Sequence, residues 1–153
     1  MIPLLMAVHV LGVVLWIGGV AFVTIIVFPM LTRIEGSIEK VIFFQGVEHR
    51  FAKIVKICVA IVGITGGWLL SITDGWSRLF TWHGIGITLM LIVWIFYLLV
   101  LLFEGRFFRI IFKGAAQQDM SKIFMKLTAF HWLILGLSLL TIFLAVFAEN
   151  GGI

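Results

Sequence analysis

The sequence predicts an all-α integral membrane fold: a four-helix bundle running up, down, up and down, with both termini outside. Three observations lead there. Of 153 residues, 63% are apolar and only 12% charged, against roughly 25% charged in an ordinary soluble domain. The charges sit in clusters that leave four apolar stretches, each near the roughly 20 residues that cross a bilayer. Lysine and arginine gather in alternate connections, the bias that orients membrane helices.

The first helix is expected over residues 4–31, uncharged throughout. It lacks the basic start of a signal peptide and is longer than a signal core, so it reads as a retained helix. Pro29 is expected to kink or end it. The second helix, 51–73, is short between Lys56 and Asp74 unless Lys53 and Lys56 snorkel. It carries the pair Gly63 and Gly67, a close-packing device of membrane helices. The third helix is expected over 79–104 and the fourth over 124–148. All four belong to one domain, 1–153.

The connections fix orientation. Of eleven basic residues, Arg33, Lys40, Arg50, Lys53 and Lys56 lie in or beside the first connection. Arg106, Arg109, Lys113, Lys122 and Lys126 lie in or beside the third, and only Arg78 lies in the second. Connections one and three are therefore expected in the cytoplasm. The stretch IEKVIFFQGVEHRF before the second helix reads as an amphipathic piece for the headgroup region, and FFRIIFKGAAQQDMSK as a cytoplasmic continuation of the third helix. Trp76 and Trp82 flank the outer connection as an aromatic belt does, and Asp74 reads as a turn residue. The net charge of +4 arises from clusters flanking apolar runs, so nucleic acid is not an expected partner. A single cysteine, Cys58, excludes a disulfide framework. The chain has no Ser-His-Asp order, no paired acid-base carboxylates and no phosphate loop.

The chemistry rests on four histidines. An ionisable residue inside an apolar run is a functional candidate by default, and neutral imidazole is the commonest biological metal ligand. His9 and His83 are placed just inside the outer ends of helices one and three, at matched depth. Each has glycine three residues on, Gly12 and Gly86, which clears space on the same helix face; Trp16 follows His9 at two turns. Helices one and three are diagonal in such a bundle, so their imidazoles are expected to meet a haem from opposite sides. The alternative is that each is hydrogen-bonded to a neighbouring helix. His131, one turn inside helix four, and His49 belong to the cytoplasmic side, where a second haem is a further expectation. Their separation in depth, about 10 residues or ~15 Å at helical rise, works against that pair, and His49 between Glu48 and Arg50 reads rather as a solvated residue. Met6 and Met90 beside His9 and His83 offer a thioether-imidazole copper site as an alternative.

At HVLGVVLWIGGVAF, with His9, Trp16, Gly18 and Gly19, the sequence resembles the CopD-like (copper-resistance protein D) membrane domains. That family is related to the HemJ-type protoporphyrinogen oxidases, small four-helix haem-associated proteins. TGGWLL at 65–70 and KLTAFHWLILGLSLLTIFLAVF in the fourth helix extend the resemblance over most of the chain. It implies that His9 is a haem or metal ligand and that the activity is oxidoreductase-like or copper-related. HemJ-type enzymes carry a lysine in the third helix after its tryptophan, whereas no lysine lies between Trp82 and Glu104 here.

The expected function is that of a b-type haem protein with one or two haems, bis-histidine ligated, passing electrons within the bilayer as an oxidoreductase or a subunit of one. A homodimer or a membrane redox partner follows, since no soluble redox domain is attached, and a quinone is a candidate substrate. The expected location is a bacterial or archaeal cytoplasmic membrane. The alternatives are copper transport or binding of the CopD type and HemJ-type protoporphyrinogen oxidation.

Overall fold

The computed structural model describes residues 1–112 and 120–149. Helix α1 (Ile2–Phe22) continues through a π-helical turn, Val23–Val27, into α2 (Phe28–Thr32). Helix α3 spans Ser37–Ile72, the single turn α4 spans Gly75–Arg78, α5 spans Ile85–Phe112 and α6 spans Met120–Glu149. Four segments are long and apolar enough to cross a membrane: Ile2–Thr32, Ile38–Ile72, Ile85–Phe103 and Ser121–Ala148. The chain is a multi-pass membrane protein.

Neighbouring spans pack in sequence order: the first against α3, α3 against α5, α5 against α6, and α6 back on the first. The first span and α5 are thus diagonal, meeting only through the core. There Trp16 and Tyr97 touch edge to face, ring centroids 4.6 Å apart. Around them Ile17, Val20, Val55, Val59, Val62 and Leu135 close one apolar cluster. A second cluster, at the end away from the termini, joins Val23, Val27, Phe28 and Leu31 to Phe44 and Phe124. Many other large apolar side chains, among them Leu11, Val14, Leu15, Ile57, Leu102 and Leu133, face outward, as lipid contact requires.

Two helix boundaries depart from the expectation. Helix α3 begins at Ser37 rather than near residue 51. No proline interrupts IEKVIFFQGVEHRF, and the lone Gly46 costs a helix only ~1 kcal/mol. Packing outweighs that cost, because the helix turns Phe44 onto Phe28 and Phe124, ring centroids 5.6 Å apart in each pair. At 36 residues α3 is ~54 Å long, well beyond the ~30 Å hydrocarbon layer, so its first turns project past the membrane. Helix α5 begins at Ile85, not near 79, because residues 79–84 are folded into a tight turn. It continues past Glu104 to Phe112, as the third connection's sequence suggested; the remainder of that connection, Lys113 included, lies outside the described residues.

Pro29 does not itself end the first helix, which runs three residues further. The turn before it widens, with the Phe28 N–H donating to the Val23 carbonyl five residues back. That absorbs the donor the proline lacks, and the helix ends at Thr32.

Candidate functional site

His9 lies half-buried on the first span and faces α3. Its Nδ1 is 3.0 Å from Thr65 Oγ1. The threonine hydroxyl already donates to the Ile61 carbonyl at 2.6 Å, so toward His9 it can only accept. Nδ1 of the neutral ring therefore carries the proton, and the ring also faces the Val62 backbone carbonyl. Metal-bound histidines are oriented by such an anchor on one ring nitrogen. A Cβ at Gly66 would come within 3.0 Å of His9 Cε1, so the glycine lets the ring lie close against α3.

Gly12 and Gly86 have a different role from the one their spacing suggested. A Cβ at Gly12 would approach Val62 Cγ2 to 2.8 Å, and one at Gly86 would approach the Ala145 Cα to 2.6 Å. Both are contact points between helices, first span to α3 and α5 to α6. Neither clears a face for a flat ring.

The structure does not bring His83 to His9. His83 is exposed, in the turn that precedes α5. The first span and α5 run in the same direction, and Trp16 meets Tyr97. That register sets Met90 level with His9 and leaves His83 about seven residues beyond it, ~10 Å along the helix axis. The matched depth expected of the two imidazoles fails because α5 starts later than its apolar run implied.

At the other end His131 is partly buried, its Nδ1–H donating to the Leu127 carbonyl at 2.9 Å. Its ring stands edge-on to Phe28, centroids 4.8 Å apart. His49 and His131 are closer in depth than their sequence positions suggested. Phe44 of α3 meets Phe124 of α6, and both helices run away from that level in the same direction. His49 and His131 follow by about five and seven residues, which leaves them within ~3 Å in height. No contact joins them: His49 is exposed on α3, whereas His131 faces Phe28. Met6 and Met90 are exposed. Among the described residues no group of three or more His, Cys, Asp or Glu gathers around one point.

Two polar features of the core escaped the sequence. Tyr97 donates its hydroxyl to Ser138 Oγ at 3.2 Å, since Ser138 donates in turn to the Ile134 carbonyl at 2.8 Å. Trp16, only 3% exposed, buries an indole N–H that has no acceptor, two turns along the first span from His9. Buried donors without acceptors are rare and call for an explanation.

No family model, no curated protein and no solved structure matches the chain.

Proposed function

We propose that this protein is a b-type haem protein that moves electrons within the bilayer, with His9 as an axial ligand near the end that carries the termini and His131 near the other. The observation that carries the reading is the setting of His9: a half-buried imidazole inside an apolar span, its Nδ1–H anchored to Thr65 Oγ1 at 3.0 Å. His131, with Nδ1–H on Leu127, repeats the arrangement in the opposite half of the membrane. Donor chemistry at both places fits a haem iron, and the unpaired Trp16 N–H fits an acceptor group on a bound molecule. No second imidazole lies opposite either ring among the described residues, so a second histidine ligand would come from outside the chain. Two copies related by an axis along the membrane normal carry their His9 rings at one level, which matches the expected homodimer and keeps the ligation bis-histidine. Bound haem would supply the one-electron chemistry; the chain binds, orients and buries it.

Protein purified from haem-replete cells and assayed as the pyridine haemochrome is expected to hold haem b in proportion to chain, with His9→Ala and His131→Ala each losing a share. Haem-free protein that takes up none on addition of haemin would overturn the reading.

A copper-binding reading has one observation in its favour. Met90, not His83, stands level with His9, and a thioether with an imidazole suits copper(I). Copper bound to haem-free protein, and lost in both His9→Ala and Met90→Leu, would select it.

A further inference from the structure

The turn that joins α4 to α5 presents aromatic rings outward at some conformational cost. Phe80 has φ +60°, a conformation bulky residues rarely adopt, and its ring is 81% exposed. Trp82 and Trp76 beside it are 67% and 51% exposed. The backbone beneath them is firmly held. Phe80 N–H donates to the buried Thr88 Oγ1 at 3.0 Å, Thr81 N–H to the Arg78 carbonyl at 3.2 Å, Gly84 N–H to the Thr81 carbonyl at 3.1 Å and Ile85 N–H to the Trp82 carbonyl at 3.3 Å. Gly84 lies so close to the Arg78 carbonyl that no Cβ fits there. The fold thus fixes Phe80 in an unfavourable conformation while drawing no ring contact from it.

Position and charge say what the rings meet. The α5 portion that can span the membrane, Ile85–Phe103, is ~28 Å long, close to the ~30 Å hydrocarbon layer. The turn therefore sits at the layer's edge. Exposed Trp68, Ile72 and Met90 bring the lipid-facing surface of α3 and α5 up to it. Between residues 57 and 103 the only charged residues are Asp74 and Arg78. Tryptophan favours the interface between hydrocarbon and water, and a rigid, nearly uncharged aromatic turn matches that zone.

We propose that residues 79–83 form an interfacial wedge, seating Phe80 and Trp82, with Trp76 alongside, among the phospholipid headgroups and ester carbonyls of the leaflet at the end bearing the termini. The wedge fixes how deep the start of α5 sits. The proposal is independent of any metal.

The test uses the full chain in phosphatidylcholine–phosphatidylglycerol vesicles, with an environment-sensitive NBD fluorophore on Phe80→Cys. Cys58 is buried, and the unsubstituted chain treated alike gives the background. The expected result is blue-shifted emission, quenched by lipids carrying a nitroxide near the headgroup and insensitive to aqueous iodide. Emission typical of water and quenched by iodide would overturn the proposal and leave a soluble partner as the occupant. Phe80→Gly separates a structural role from a lipid one. Its melting temperature in detergent is expected to hold or rise, since the left-handed conformation suits glycine; a fall would show that the ring supports the fold and would overturn the wedge.

Discussion

Thr65 decides what His9 can do. Its one proton goes to the Ile61 carbonyl, so the imidazole meets an acceptor and its tautomer is set. Thr65→Val is expected to weaken haemin binding by about 10- to 100-fold, the usual loss when a ligand's supporting hydrogen bond is removed. Thr65→Ser should restore most of it, and a haemin titration followed by absorbance reads both. Trp16→Phe removes a buried donor that lacks an acceptor. In haem-free protein it should leave thermal stability unchanged or raise it by ~1 kcal/mol, as measured by unfolding in detergent. The candidacy of His9 was legible because a titratable residue stood alone in an uncharged run. Its partner was not, because Thr65 lies 56 positions away and only antiparallel packing of two helices brings it near.

Among the elements, glycines separate contact faces from lipid faces. Gly12 and Gly86 mark places where helices approach too closely for a side chain. Gly86→Val would drive atoms into the Ala145 backbone, and overpacking of that kind costs about 1–3 kcal/mol. Gly18→Ala and Gly136→Ala meet nothing within 4 Å and are expected to hold or raise the melting temperature, since alanine favours a helix over glycine by up to ~1 kcal/mol. The same detergent melts check all three. The apolar runs revealed where helices exist but not where they begin. Helix α3 starts early because its charged turns project beyond the hydrocarbon layer, where charge is no barrier to helix formation. Helix α5 starts late because Leu79, Phe80 and Trp82 are apolar and read as span, although the backbone there is a turn. Both displacements moved histidines: His49 into a helix, His83 out of one.

For the whole molecule, alternating apolar and basic segments sufficed for four spans in sequence order. The basic connections predict that both termini face away from the cytoplasm. Alkaline phosphatase fused after residue 149 should be active, and the same enzyme fused within 33–36 inactive; the reverse pattern would invert the orientation. Which imidazoles share a centre could not be read from the sequence, since that depends on register between diagonal helices, and Trp16 against Tyr97 sets it. The register leaves His9 without an imidazole opposite it among the described residues.

The most direct measurement is low-temperature electron paramagnetic resonance of the oxidised, haem-loaded protein, native and His9→Ala. The expected result is a low-spin ferric signal typical of two imidazole ligands, lost or converted to high spin for one haem when His9 is replaced. An unchanged spectrum in His9→Ala, with haem content equal to that of the native protein, would contradict it.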